Sequence, residues 1–172
     1  IPGVIEPLLT PPLYDEPFGQ PVPTQIQNLK DITAISLIHR HTLGLKRDGT
    51  VWAWGLNDCN QLGVPDLPNK APFTTTPLQV PGLSDVIAVA AGRRHSLVLK
   101  ADGTVWSWGQ NIDFETNYGG CRDPGDTPYT RQYRSVIRPV KLPGKVVAIA
   151  ASAESSMALL SDGTVWIWGQ KR

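Results

Sequence analysis

The sequence carries the same eight-residue string three times. Asp-Gly-Thr-Val-Trp-x-Trp-Gly occurs at residues 48–55, 102–109 and 162–169, and the three copies contain all six tryptophans of the 172-residue chain. The copies start 54 and 60 residues apart. Self-similarity at a spacing of this size is typical of repeat architectures, in which each unit buries its apolar surface against its neighbours. The chain is therefore predicted to consist of repeated structural units.

Each repeat unit is predicted to form antiparallel strands. The Asp-Gly dipeptide lies between two β-rich runs, which is the strongest short-range signal for a hairpin. Aspartate tolerates the positive φ that such a turn uses, so turns are predicted at 48–49, 102–103 and 162–163. A run of small apolar residues and a short Pro-led piece precede each hairpin, which gives about four strands per unit. The predicted fold class is all-β, a β-propeller of about three four-stranded blades.

The repeats divide the chain into four predicted parts. Residues 1–22 form a Pro-rich extended leader, and residues 23–76 form the first blade. Residues 77–138 form the second blade with an inserted loop at 111–138, and residues 139–172 form a truncated third blade. Because its six prolines cannot donate ladder hydrogen bonds, the leader is expected to lie across a surface, on its own blades or on another subunit.

Composition argues against several classes of function. The chain has 16 Lys and Arg against 15 Asp and Glu, a net charge of +1, which favours neither nucleic acid nor an anionic membrane as partner. No apolar run approaches the roughly 18 residues of a membrane span. The sequence has no nucleophile elbow, phosphate loop, metalloprotease motif or zinc-type cluster of cysteine and histidine. We therefore predict no catalytic residue, no metal and no cofactor, and do not expect an enzyme.

The repeated tryptophans and histidines are predicted to be structural. His41 and His95 recur at the same register, and a catalytic group is needed once, whereas a blade-to-blade hydrogen bond is needed in every blade. The two tryptophans of each strand share one face by alternation, which favours packing between blades over a sugar-binding platform. The predicted structural residues are Trp52, Trp54, Trp106, Trp108, Trp166, Trp168, His41 and His95.

The two cysteines leave two alternatives open. Cys59 and Cys121 each follow a Trp-x-Trp-Gly strand in adjacent repeats, so a disulfide between neighbouring loops and a pair of free thiols both fit. A disulfide would indicate an oxidising compartment. An extracellular or cell-surface location is therefore favoured over the cytoplasm.

The inserted loop of the second repeat is the candidate partner-binding segment. It interleaves tyrosine and arginine, which are residue types enriched at binding hot spots, and loops on rigid scaffolds commonly carry function. The alternative is an ordinary excursion between blades whose aromatic residues cover a blade edge. The candidate contacts are Phe114, Tyr118, Arg122, Tyr129, Arg131, Tyr133 and Arg134.

Residues 80–109 resemble the consensus of the regulator of chromosome condensation repeat, from Val-Pro-Gly-Leu-Ser-Asp-Val to Thr-Val-Trp-Ser-Trp-Gly. Residues 57–63, Asn-Asp-Cys-Asn-Gln-Leu-Gly, resemble the family's Asn-x-x-Gly-Gln-Leu-Gly, with Asn60 where glycine is usual. The resemblance covers residues 21–172 and is greatest to bacterial members. It implies a propeller that usually has seven blades. It also implies relatives that include a guanine-nucleotide exchange factor, ubiquitin-ligase subunits and a secreted β-lactamase inhibitor.

Three blades leave two open blade faces, and this shortfall shapes the predicted function. Burying one tryptophan is worth roughly 4–6 kcal/mol, so an exposed Trp pair would forfeit an amount comparable to a domain's net stability. The faces are therefore expected to be covered, by missing propeller blades of a longer bacterial surface or secreted protein, or by self-association, since two copies supply six blades. The predicted function is a non-enzymatic protein–protein interaction or assembly module. The alternative is an enzyme-regulating binder, β-lactamase-inhibitor-like or guanine-nucleotide-exchange-like, acting through loop contacts.

Overall fold

The computed structural model describes residues 23–64, 67, 71–110 and 137–169, and every regular element in these ranges is a β-strand. The all-β prediction is confirmed. In chain order the strands are β1 Ile32–Ile38, β2 His41–Lys46, β3 Val51–Leu56, β4 Phe73–Gln79, β5 Val86–Ala91, β6 His95–Lys100, β7 Val105–Gly109, β8 Arg138–Pro139, β9 Val146–Ala151, β10 Ser155–Leu160 and β11 Val165–Gly169.

The strands form three antiparallel sheets, one for each repeat. The sheet orders are β1-β2-β3-β4, β5-β6-β7-β8 and β11-β10-β9, and we call these sheets blade 1, blade 2 and blade 3. Among the described residues blade 3 has three strands, whereas four were predicted for each repeat. The chain thus passes from one blade to the next in sequence order.

The outer strand of a blade ends in the first residues of the following repeat. Gln79 pairs with Trp52, so the Pro-led piece at 77–80 completes blade 1 instead of opening blade 2. Pro139 pairs with Trp106 in the same way and completes blade 2. The predicted boundaries after residues 76 and 138 therefore cut through β4 and β8. The first Pro-led piece, at 23–26, belongs to no strand.

The hairpins turn at the three Asp-Gly dipeptides, as predicted. Gly49 has a φ of 80°, a conformation that glycine adopts without the steric cost of a side chain, and its N–H donates to the Lys46 carbonyl at 3.0 Å. The positive φ expected of aspartate was wrong, because Asp48 is not among the residues with positive φ. Its Oδ1 instead accepts hydrogen bonds from the Thr50 hydroxyl at 2.6 Å and the Thr50 N–H at 2.9 Å. These two bonds lower the pKa of Asp48.

The core lies between the blades, and blade 2 is buried on both faces. Strand β5 packs against β1 and β2, and β9 packs against β5 and β6. Alternation along β6 sends Val98 into the core shared with blade 1, while Leu97 and Leu99 enter the core shared with blade 3. Trp108 joins the first of these cores and Val105 the second.

The two end faces of the stack are apolar and uncovered among the described residues. Leu159 of blade 3 has the register of Leu99 of blade 2, yet the side chains are 37% and 1% exposed. Val165 and Val105 differ in the same way, at 64% and 1%. Blade 1 likewise exposes Ile35 from β1. A residue type that is buried between two blades is thus left in solvent at the ends.

This difference predicts unequal costs for two matched substitutions. Leu99→Ala should lower the free energy of unfolding by about 2–5 kcal/mol, because it empties a filled interior site. Leu159→Ala should cost about 1 kcal/mol or less in the monomeric chain, measured at protein concentrations too low for self-association, because much of that side chain already contacts water. Urea unfolding of both variants gives the comparison. Equal costs would mean that protein covers blade 3 in the isolated chain as well.

Candidate protein-interaction faces

A buried imidazole of each full blade bonds to a hydroxyl of the next blade. His41 Nε2 of blade 1 lies 2.9 Å from Ser96 Oγ of blade 2. His95 Nε2 of blade 2 lies 3.1 Å from Ser156 Oγ of blade 3. The sequence singled out the two histidines but not the two serines. The structure places both histidines at blade interfaces. The contact runs in one direction, from a blade to its successor.

A backbone carbonyl from the segment after β3 completes this contact. Gln61 O accepts a hydrogen bond from Ser96 Oγ at 2.7 Å and a second from Trp108 Nε1 at 2.8 Å. The Gln61 side chain is fully buried and bonds within its own segment, since its Oε1 accepts from Cys59 N and its Nε2 donates to Asp58 Oδ1. Blade 1 therefore presents both an imidazole and a fixed carbonyl to blade 2.

The hydrogen bonds of Ser96 define the tautomer of His41. A hydroxyl has one proton, and Ser96 donates it to Gln61 O, so His41 Nε2 must carry the hydrogen that the Ser96 oxygen accepts. His41 Nδ1 is then a bare acceptor, and it is buried with no hydrogen-bond partner within the described residues. This arrangement fits a neutral ring.

Burial keeps both interface histidines neutral at physiological pH. Loss of hydration lowers the pKa of His41 to about 4, and the proximity of His95 lowers it further while Asp58 opposes the shift. Burial likewise lowers the pKa of His95 to about 4. Protonation would place a charge between two blades, away from water.

The segment at 57–63 has a backbone shape that only certain residues permit. Leu62 N donates to Asn57 Oδ1 at 3.0 Å, which closes the segment on itself. Asn60 has a φ of 57°, a left-handed conformation that asparagine tolerates better than most residues with a side chain. Gly63, at φ 65°, packs so closely that a Cβ there would lie 2.7 Å from Trp108 Nε1. The Gln-Leu-Gly pattern is thus explained by contact with the next blade.

The first tryptophan of each pair makes a different contact, near the Asp-Gly turn. Trp106 Nε1 donates to the Thr104 hydroxyl at 3.1 Å, and that hydroxyl donates to Asp102 Oδ1 at 2.6 Å. The other two repeats have the same chain of bonds. Lys100 Nζ lies 5.7 Å from the centroid of a Trp106 ring, within the range of a cation–π contact. The repeated Asp-Gly-Thr-x-Trp string is therefore explained by one local chain of hydrogen bonds, from the tryptophan through the threonine to the aspartate.

The contacts between blades stop at the two end faces. Thr42 of blade 1 has the register of Ser96, since each lies opposite the second tryptophan of its blade, and the structure gives its side chain no hydrogen bond among the described residues. Ser155 of blade 3 stands opposite Gly169, in the position that histidine occupies in blades 1 and 2. Trp168 lies instead at the interface of blades 2 and 3, where its Nε1 is buried without a hydrogen-bond partner in the described part of the chain.

Several predicted residues lie outside the described ranges. These are the leader at 1–22 and all seven candidate partner contacts between Phe114 and Arg134. Cys59 is buried and disulfide-bonded, while Cys121, its predicted partner, also lies outside the described residues. That pairing and the partner contacts stay predictions.

Across 23–64, 67, 71–110 and 137–169, no three His, Cys, Asp or Glu side chains are grouped to hold a metal ion. In the same ranges no helix has the length and apolar character to cross a membrane.

The stacked, directionally bonded blades define a repeat protein of the β-propeller class. The family model described as the regulator of chromosome condensation (RCC1) repeat matches residues 48–99, and a second model of the same description matches residues 32–61, 86–114 and 146–170. The chain therefore belongs to the regulator of chromosome condensation repeat family, as its resemblance predicts.

Similar proteins are longer than this chain. Protein pim1 of Schizosaccharomyces pombe is 40% identical over 104 residues, covering 54% of this chain and 18% of pim1. Guanine nucleotide exchange factor SRM1 of Saccharomyces cerevisiae is 29% identical over 168 residues, covering 91% of this chain and 32% of SRM1. The chain thus spans about a third or less of these curated relatives. Both are eukaryotic, so they lend no support to the predicted bacterial origin.

The crystal structure of Prp20p from Saccharomyces cerevisiae has the same fold. It matches 83% of this chain and 34% of its own chain, with a TM-score of 0.63 and 27% sequence identity. The propeller prediction is confirmed at the level of fold, and the match again covers about a third of the longer protein.

The hydroxyl and the carbonyl that receive the interface hydrogen bonds were not predicted from the sequence. Gln61 O belongs to the backbone, so no side-chain pattern reveals it. The hydroxyls did carry a signal, because Thr42, Ser96 and Ser156 follow the histidine register by one residue in all three repeats. Together with the recurring histidines, that pattern indicates a hydrogen bond between a histidine and a hydroxyl.

The lowered histidine pKa values predict a loss of stability in mild acid. Because the folded pKa of about 4 lies below the ordinary value of 6.5, the unfolded chain binds protons first. The stabilisation is complete above pH 6.5 and declines as pH falls towards 4, by up to roughly 3 kcal/mol per histidine. Urea unfolding at pH 7 and pH 4.5 measures the difference. His95→Gln should reduce this pH dependence. An unchanged dependence would contradict its attribution to the buried histidines.

The two roles of Trp108 predict a graded series. Trp108→Ala should lower the free energy of unfolding by about 3–5 kcal/mol, since the side chain is buried in the core between blades 1 and 2. Trp108→Phe keeps most of the volume but removes the donor to Gln61 O, and should cost about 1–2 kcal/mol. Trp166→Ala, at a partly exposed site, is the control and should cost less. A Trp108→Ala variant that unfolds with the parent would instead indicate an exposed ligand platform.

Proposed function

We propose that this chain is part of a non-enzymatic β-propeller that acts by binding protein, and that protein covers both of its end blades. The observation that carries the proposal is the exposed face of blade 3. Val165 and Ile167 are 64% and 63% exposed there, whereas Val105 and Ser107 at the same register in blade 2 are buried under blade 3.

The energy of covering this face supports the proposal. Fully burying one large aliphatic side chain stabilises a protein by roughly 1.5–3 kcal/mol. The face of blade 3 offers Met157 and Leu159 beside Val165 and Ile167, all of them more than a third exposed. Contiguous apolar surface of this kind usually marks a protein contact. Blade 2 shows how such a face is covered, because Leu97, Leu99 and Val105, the equivalents of Met157, Leu159 and Val165, are buried in the core shared with blade 3.

Further blades of a longer chain are the covering that the comparisons favour. The matched relatives are about three or more times as long as the aligned part, and the fold aligns to about a third of Prp20p. Self-association is the other way to cover the faces. An extracellular or cell-surface location remains part of the proposal, supported by the disulfide-bonded state of Cys59.

Regulation of another protein through loop contacts is the second candidate. Its support is a relative's name, since SRM1 is a guanine nucleotide exchange factor and aligns over 91% of this chain. On this proposal the contacts come from the tyrosine- and arginine-rich segment at 111–138. The propeller then serves as the rigid scaffold on which that segment is held.

The state of association of the isolated chain tests the first proposal. Sedimentation and native mass spectrometry should show species larger than the 18.7 kDa monomer, because the bare faces pair. Ile167→Asp should shift the protein towards monomer by placing a charge on the apolar face. Thr75→Asp, on the exposed outer strand β4, is the matched control and should change nothing. A stable monomer that Ile167→Asp leaves unaltered would refute self-association as the covering of this face.

A further inference from the structure

The blade interface has two chemically different halves. The leading blade contributes the imidazole of His41 and the carbonyl of Gln61, and the following blade contributes the hydroxyl of Ser96 and the indole N–H of Trp108. At the next interface His95 meets Ser156 in the same order. The order of donors and acceptors therefore gives the stack a direction.

The end face of blade 1 carries the receiving half of this interface. Thr42 supplies a hydroxyl at the register of Ser96, and Trp54 stands opposite it as Trp108 stands opposite Ser96. Neither side chain has a hydrogen bond within the described residues, whereas both groups of blade 2 are bonded to blade 1. Blade 1 thus has the groups needed to follow another blade, and among the described residues no blade lies in front of it.

The end face of blade 3 does not carry the imidazole of the matching half. Ser155 occupies the register of His41 and His95. A serine oxygen is one bond from Cβ, so it does not reach as far as the distal nitrogen of an imidazole. Blade 3 of a second copy, placed on blade 1, would leave the Thr42 hydroxyl without the histidine that Ser96 and Ser156 each receive.

We propose that the end face of blade 1 binds a repeat blade from outside these 172 residues that carries histidine at the His41 register, and not blade 3 of a second copy. The occupant donates an imidazole N–H to Thr42 and presents a backbone carbonyl to Trp54 Nε1. This inference rests on the proposed function, since it names the partner of one end face. Its basis is continuity with an interface that the chain itself forms twice.

A chain extended by one of its own blades tests the inference. Duplicating residues 23–76 in tandem places a His41-bearing blade in front of Thr42, because the duplicated length equals the 54-residue spacing of the first two repeats. We expect the extended protein to melt above the parent. His41→Ser in the added blade alone should lower Tm by about 2–4 °C, the scale of one buried hydrogen bond in a chain of this size. His39→Ser in the added blade is the control, because His39 is exposed.

A double-mutant cycle shows whether the histidine acts through Thr42. With Thr42→Val in the original blade, the added His41→Ser change should lose most of its effect on Tm. Additive effects would overturn the inference. A parent chain whose dimer is weakened by Thr42→Val would also overturn it, by showing that a second copy occupies this face, while leaving the proposed function intact. Failure of the added blade to raise Tm, with a monomeric parent, would count against both.

Discussion

The fold depends on a small buried network of polar groups between apolar sheets. An imidazole, a hydroxyl, a carbonyl and an indole N–H meet where blade 1 joins blade 2, and each has a defined partner. Apolar side chains on the two sheets stabilise the contact without selecting one alignment. The hydrogen bonds do select it, because a sheet displaced by one residue would leave these groups buried and unbonded. The network therefore fixes the register between blades.

The same network explains why the connecting segment after β3 has so specific a sequence. The backbone carbonyl of Gln61 accepts hydrogen bonds from the next blade. The Gln61 side chain bonds within its own segment and holds that carbonyl in position. Gly63 then lets the segment lie against the Trp108 indole. A segment that joins two strands of one blade is in this way also part of the surface that receives the next blade.

The sequence predicted the strands and turns well because their causes are local. The Asp-Gly turns follow from the dihedral freedom of Gly49 and its equivalents, and the blade count follows from the repeated string. The partners of His41 and His95 could not be predicted with equal ease, since they lie 55 and 61 residues away. The blade boundaries were misplaced for a related reason. A Pro-led piece has no local property that assigns it to the preceding sheet, and only its pairing with β3 does so.

The outer strand of a blade extends past the end of its sequence repeat, so the boundaries of the repeats and of the blades do not coincide. The fourth strand of blade 1, Phe73–Gln79, spans the boundary between the first and second repeats. The second repeat therefore contributes residues to blade 1 as well as to blade 2. A cut in the chain between β3 and β4 would leave the two pieces joined by the pairing of those strands. A gene duplication that copies one sequence period supplies the inner strands of a new blade together with the outer strand of its neighbour. Arrays of this kind can therefore lengthen by whole periods without an intermediate that has a three-stranded blade in its interior.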